Sequence, residues 1–267
     1  IKEISFGIWR VGDPGVQFED TIQNMHTVKN AGRINSSNPC SEYMSINDTA
    51  CNLASLNLLR FTDKKGNFDV DGFQHAAEVI AVGQNILNQS SGYPIRSVAQ
   101  ISPELNNIGL GYANIGAVLM RKGVPYDSEE GRQFTASITA LLTGTAYQVS
   151  ANLAENIGTF EHFEFNKNPM MDAIAKHKKS LDDIVWDFVP ENIKEAVYSS
   201  WDVAETKGSN TGFRNSQVSV LAPTGTIAYM MGCETTGGEP YIAFSIKKDL
   251  AGGGSLNLDA NREIPTG

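Results

Sequence analysis

Gln217-Val218-Ser219-Val220-Leu221-Ala222-Pro223-Thr224-Gly225-Thr226-Ile227-Ala228 is the stretch from which the architecture is read. Its first five residues alternate and are rich in β-formers, which predicts a strand. Pro223 is comfortable at a first helical position, and Gly225 lets a backbone approach a ligand closely. A strand that passes through Pro-Thr-Gly-Thr into a helix start is an α/β element. Free N–H groups at such a start, with the hydroxyls of Thr224 and Thr226, suit an anion such as a phosphate. No Gly-Lys-Ser/Thr follows, so this is not a Walker loop. An ordinary strand-to-helix turn fits the same residues.

The rest of the chain agrees with that class. Glu191 to Ala204 predicts one helix. Ser128-Glu129-Glu130 starts another, with acidic residues in its first turn and apolar positions from Phe134 through Leu142 to Leu153. Gly109-Leu110-Gly111 leads into a small-residue stretch, Ala113 to Met120, suited to close packing. Phe73, Ala76, Ala77, Ile80 and Gln84 predict an amphipathic helix ending near Ser90-Ser91-Gly92. Leu53, Leu56, Leu58 and Leu59 predict a short buried strand. Val16, Ile22, Met25 and Val28 predict a helix that follows the Gly12-Asp13-Pro14-Gly15 turn and stops at Gly32. Tyr241 to Ile246 predicts a further strand, Gly252-Gly253-Gly254 a loop, and Lys176 to Lys179 a solvated basic face. Long helices between short buried strands give an α/β class. No repeat or linker divides residues 1–267, which predicts a single domain.

Composition narrows the function classes. The chain has 267 residues, with 21 Lys+Arg against 30 Asp+Glu and a formal charge of −9. A broad cationic footprint for nucleic acid polymers or anionic lipid is not expected from that balance. No apolar run approaches the roughly 20 residues of a membrane helix. Three cysteines in this length are no disulfide scaffold, which predicts a reducing, cytoplasmic setting. The chain opens on Ile1 and reads as a piece of something longer.

Asn38-Pro39-Cys40-Ser41-Glu42 is the first candidate site. Pro39 biases Asn38 away from the α region, so the stretch is expected to be extended, with Asn38, Cys40 and Glu42 on one face. An amide, a thiol and a carboxylate together suit sulfur chemistry on a hydroxylated substrate, the carboxylate accepting a proton. A turn around an inert, buried cysteine is the alternative. Cys51, eleven residues on, could serve as an electron reservoir or as a small core residue. Cys233 reads as structural. No CxxC pair exists and no histidine has ligand spacing with the cysteines, so no metal site is expected.

Taken together these motifs resemble the ribonucleotide reductase catalytic subunit. Asn38-Pro39-Cys40-Ser41-Glu42, Cys51-Asn52-Leu53-Ala54-Ser55-Leu56-Asn57-Leu58, Gly109-Leu110-Gly111 with Ala113-Asn114, Pro125-Tyr126-Asp127-Ser128-Glu129, and Arg214-Asn215-Ser216-Gln217 into Ala222-Pro223-Thr224-Gly225-Thr226 stand in family order. The resemblance runs to about Gly254. Ser41-Glu42-Tyr43, the Cys40-to-Cys51 spacing, Tyr112-Ala113-Asn114 and Thr224-Gly225-Thr226 look like the adenosylcobalamin-dependent branch, class II. The iron-dependent class I subunit is the neighbouring alternative, and a catalytically silent nucleotide- or partner-binding fragment is another.

The resemblance implies part of a ten-stranded α/β barrel, with Cys40 on a central finger loop. It implies that Cys40 becomes a thiyl radical by giving its hydrogen to a radical derived from adenosylcobalamin (coenzyme B12). Glu42 would accept the 3′-hydroxyl proton of a ribonucleoside diphosphate and Asn38 would hold the ribose hydroxyls, with Ser37 and Ser41 beside them. Cys51 would be one of two reducing thiols, and Pro223, Thr224, Gly225, Thr226 and Ile227 would hold the phosphates. The second thiol, the regulatory nucleotide region and the C-terminal cysteine pair have no counterpart here. The resemblance therefore implies a complementary N-terminal reductase chain or region and a thioredoxin-like or glutaredoxin-like reductant.

Overall fold

The computed structural model describes residues 1–249 and 252–259; the end of the expected single domain, 260–267, lies outside the described residues. In chain order the elements are α1 (Lys2–Val11), α2 (Glu19–Asn24), β1 (Asn52–Asn57), α3 (Val70–Ser90), α4 (Arg96–Leu105), β2 (Ile108–Ala113), α5 (Ile115–Lys122), α6 (Glu129–Ile157), α7 (Phe163–Lys179), α8 (Glu191–Thr211), α9 (Gly225–Met230), β3 (Ser245–Asp249) and β4 (Ser255–Asp259). The helices predicted around residues 73–90, 128–153 and 191–204 are α3, α6 and α8. Ser128 and Asp69 start α6 and α3 by accepting from the N–H groups of Gly131 and Gly72, each at 3.0 Å.

β1 and β2 pair in parallel, from Asn52 opposite Ile108 to Asn57 opposite Ala113. The predicted strand at 217–221 is a third parallel row against β2. Ile108 N donates to Gln217 O, Leu110 N to Val218 O and Val220 N to Leu110 O, all at 3.0 Å. Parallel neighbours need long crossovers, and helices supply both: α3 and α4 between β1 and β2, then α5 to α8 before residue 217. Among the described residues the parallel sheet is an arc of three rows and not a closed barrel.

The two faces of β2 differ by composition. Leu110, Tyr112 and Val218 join Phe73, Ile138 and Leu142 in the main apolar core. Gly109 and Gly111 carry nothing on the other face. A Cβ on Gly109 would lie 2.5 Å from Cys51 Sγ, and one on Gly111 would lie 2.4 Å from Val220 O. These two missing side chains let Cys51 and the 217–220 row close on β2.

Three expectations need correction. The helix expected from Val16 to Val28 is only α2, because the chain turns after Met25. His26 Nδ1 accepts from Val28 N at 3.3 Å and its Nε2 meets Gly32 O at 2.8 Å, and this turn carries Val28 into the core. The strand expected at Leu53–Leu59 stops at Asn57, whose side chain accepts from Leu59 N at 3.2 Å and starts a 3-10 turn, Leu58–Phe61. The strand expected over 241–246 is instead β3, because its antiparallel register with β4 begins at Ser245 opposite Asp259. The Gly252–Gly254 loop joins those two strands as expected.

Candidate active site

The segment from Asn38 to Glu42 is a tight turn, not the extended run expected. Asn38 and Pro39 occupy the first two positions of a β-turn, where those residue types are favoured, and Ser41 N donates to Asn38 O at 3.0 Å. Ser41 takes a left-handed φ of 66°. Asn38 Oδ1 accepts from Tyr43 N at 3.0 Å, and Asn38 N donates to Tyr43 O at 3.2 Å, closing the loop on itself. The pairing competes with an extended backbone and wins because the Asn side chain supplies an extra acceptor locally.

That turn separates the expected trio. Cys40, Ser41 and Glu42 line a cavity of about 980 Å³ together with Tyr112, Thr139 and Trp201. Ser37 and Asn38 line a different cleft of about 380 Å³ beside Tyr43 and Ser45. Cys40 is exposed, Cys51 half-buried and Cys233 buried, and all three thiols are free.

Asn107 and the 214–217 motif, to which the sequence reading gave no positioning role, hold the loop in place. Asn107, at the start of β2, donates from Nδ2 to Tyr43 OH at 2.7 Å and to Ser45 Oγ at 3.0 Å. Ser216 Oγ donates to Asn107 Oδ1, and Gln217 Nε2 donates to Met44 O. Behind them Asn85, Asn106 and Asn215 bond to one another. Asn106-Asn107 directly before a buried apolar strand was the available signal, since buried amides must be paired.

The electrostatics centre on Glu42. Its Oε2 is buried without a hydrogen-bond partner among the described residues. Cys51 packs against Tyr43, Val220 and Ala222. Burial pushes the Cys51 thiol up to about 12, and the neighbouring Glu42 carboxylate adds to the rise. Cys51 is therefore a neutral thiol at physiological pH. At pH 8 its thiolate fraction is roughly 10⁻⁴, so iodoacetamide is expected to alkylate exposed Cys40 well before Cys51. Glu42→Gln removes a negative charge, lowers the Cys51 pKa and speeds Cys51 alkylation. Equal labelling rates at the two cysteines by peptide mass spectrometry would contradict this picture.

The residues of the Pro223 turn do not line the Cys40 cavity, but Leu221 before it and Gly238, next to the Gly237 that bonds Thr224, do. Thr224 takes a left-handed φ of 52°, and its Oγ1 accepts from Gly237 N at 2.6 Å. Its hydroxyl hydrogen is left to donate to a ligand. Gly225, Thr226 and Ile227 are exposed at the start of α9. Cys233 packs with Ala113 and Ala228, and burial pushes its thiol up to about 11. Among the described residues no group of His, Cys, Asp and Glu could hold a metal ion, and no helix is long and apolar enough to cross a membrane.

Similarity to known proteins agrees with this arrangement. Residues 1–264 match the family model described as the ribonucleotide reductase barrel domain. A vitamin B12-dependent ribonucleotide reductase of Rhodopirellula baltica is 46% identical over 97% of this chain and 25% of its own length. One from Bradyrhizobium diazoefficiens is 40% identical over 99% of this chain and 22% of its own length. A vitamin B12-dependent ribonucleoside-diphosphate reductase of Mycobacterium tuberculosis is 28% identical over 90% of this chain and 29% of its own length. The chain thus spans about a quarter of the length of the curated relatives it matches. With its parallel α/β rows, its cysteine turn and a match across nearly its whole length, this chain belongs to the ribonucleotide reductase barrel-domain family.

Proposed function

We propose that the chain is part of the catalytic barrel of a cytoplasmic, adenosylcobalamin-dependent reductase that converts ribonucleoside diphosphates to the deoxyribonucleotides used for DNA synthesis. The observation that carries this reading is one cavity shared by an exposed thiol, Cys40, and a carboxylate, Glu42, with an unpartnered oxygen. The names of the relatives support the cofactor, and the name of the Mycobacterium tuberculosis relative supports the diphosphate level.

The residues fit the cofactor, because Cys40 is open to a cavity of about 980 Å³. Tyr126 and Arg132, which line the same cavity, would contact the approaching group. When bound, adenosylcobalamin supplies the organic radical chemistry that converts the Cys40 thiol to a thiyl. The Cys40 sulfur then abstracts the ribose 3′ hydrogen, and Glu42 accepts the 3′-hydroxyl proton. Its Oε2, buried without a hydrogen-bond partner among the described residues, has no competing donor to displace. The 2′-hydroxyl leaves as water with a proton from the reducing thiols, and the Cys40 S–H finally returns its hydrogen to C3′, regenerating the sulfur radical. Two thiols supply the two electrons and end as a disulfide; Cys51 is one of them, its neutral S–H able to give hydrogen. The second belongs to the complementary N-terminal region, and a thioredoxin-like or glutaredoxin-like donor restores both.

Ser41, on the wall of the Cys40 cavity, meets the ribose side of the substrate while Ser37 and Asn38, in the neighbouring cleft, hold the turn that presents it, and the turn from Pro223 to Ile227 takes the phosphates through Gly225, Thr226 and the hydroxyl hydrogen of Thr224. The anaerobic assay that tests this uses the full-length protein carrying this chain, with a ribonucleoside diphosphate, a dithiol and adenosylcobalamin. Product is expected only when cobalamin is present, and Glu42→Gln is expected to lower kcat by roughly 10²–10⁴-fold. Cobalamin-independent turnover, or an unaffected Glu42→Gln rate, would reject the reading.

A further inference from the structure

Three buried oxygens without hydrogen-bond partners among the described residues belong to residues that line one cleft. Thr27 Oγ1, Glu42 Oε2 and Gln217 Oε1 belong to residues lining a single cleft of about 210 Å³. Glu42 lines both this cleft and the larger Cys40 cavity, so it forms a wall between them. A buried polar atom without a partner is costly, and orphans in native proteins are usually satisfied by ordered water. Two of these three oxygens can only accept, while the threonine hydroxyl can accept and donate. The cleft has room for several waters at roughly 30 Å³ each. Ile22, Ile34 and Val220 supply apolar wall around them.

Resting on the reading of Glu42 as the proton acceptor, we propose that this cleft is a water-binding site behind the carboxylate. Water held by Thr27 and Gln217 donates to Glu42 Oε2 and exchanges the carboxyl proton with solvent. The proton that Glu42 takes from the substrate hydroxyl passes to this water and leaves the carboxylate ionised; the reverse transfer recharges it. Thr27 and Gln217 act as positioning residues, since neither touches the reacting atoms. His26, Tyr43, Tyr147 and His177 are the other titratable groups on the cleft wall, and Cys51 packs against Tyr43.

The test measures kcat, KM and the solvent deuterium isotope effect in the full-length protein for Thr27→Val, Thr27→Ser, Gln217→Leu and Glu42→Gln. Thr27→Val and Gln217→Leu are expected to lower kcat roughly ten-fold at little-changed KM, with a larger isotope effect, and Thr27→Ser to restore both. Parental kcat and isotope effect in Thr27→Val and Gln217→Leu, at unchanged melting temperature, would overturn the proposal. Should those two variants fail to fold, a high-resolution crystal structure of the parent decides it: ordered water on Glu42 Oε2 supports the site, and a dry cleft removes it. A fully active Glu42→Gln is a separate outcome, because it removes the acid–base role of Glu42 itself.

Discussion

Cys40→Ser in the full-length protein is expected to yield no deoxynucleotide while it still binds the ribonucleoside diphosphate. The substitution is nearly isosteric at an exposed turn position, so it leaves the fold alone. The Asn38–Ser41 turn is closed by backbone groups and by the Asn38 side chain, none of which involves the Cys40 sulfur. What changes is the chemistry: a serine O–H bond is too strong to be broken as the thiol S–H is, so no radical reaches the substrate. Equilibrium dialysis against labelled diphosphate separates binding from turnover. Deoxynucleotide formation by Cys40→Ser would show that another group carries the radical, and loss of both binding and turnover would point to a collapsed loop.

Trp201→Ala is the substitution expected to cost most in stability. Trp201 is 2% exposed, donates from Nε1 to Ala140 O at 3.0 Å, and fits against Gly144, where a Cβ would come within 2.8 Å of its ring. Its ring also stacks near Tyr147 and His177, at 6.0 and 5.8 Å between centroids, which ties α8 to α6 and α7. Removing a buried indole costs about 3–5 kcal/mol, because the surrounding helices relax only partly into the void. For a domain of this size that lowers the thermal midpoint by roughly ten degrees. Trp201 also lines the Cys40 cavity, so activity is expected to fall together with stability. A differential scanning calorimetry midpoint within two or three degrees of the parent would show that the α6–α8 contact is not the keystone it appears from packing.

Much of the architecture was legible in the residues. Helix starts carry local chemistry, as at Ser128 and Asp69, and long apolar periodicity survives any environment. The row at 217–221 was readable because β-branched alternation and a following Pro-Thr-Gly-Thr turn are both local signals. Less legible were the ends: Val28 leaves its predicted helix because the core needs it elsewhere, and β3 shifts its register because a partner strand sets it. The site shows the same division. By spacing alone Cys40, Glu42 and Cys51 also fitted an inert turn and a core cysteine, and the run of motifs in family order is what picked them out; the structure puts Cys40 and Glu42 on one cavity wall with Cys51 close behind.

Asn38 was expected beside Cys40 and Glu42, and its own side chain defeats that arrangement by bonding Tyr43 N. Asn107 and Thr27 carried no motif, and Gln217 stood in one without a role of its own. Their roles arise only when segments tens of residues apart meet, as Tyr43 and Asn107 do. Residue identity specifies which local bonds and which reactions are available, because those depend on a few neighbouring atoms. Which buried polar groups find partners, and how far a thiol's pKa rises, depends on the dielectric and the contacts that packing creates. Glycines 109 and 111 link the two levels: two side chains omitted from the sequence become the space in which Cys51 meets the sheet.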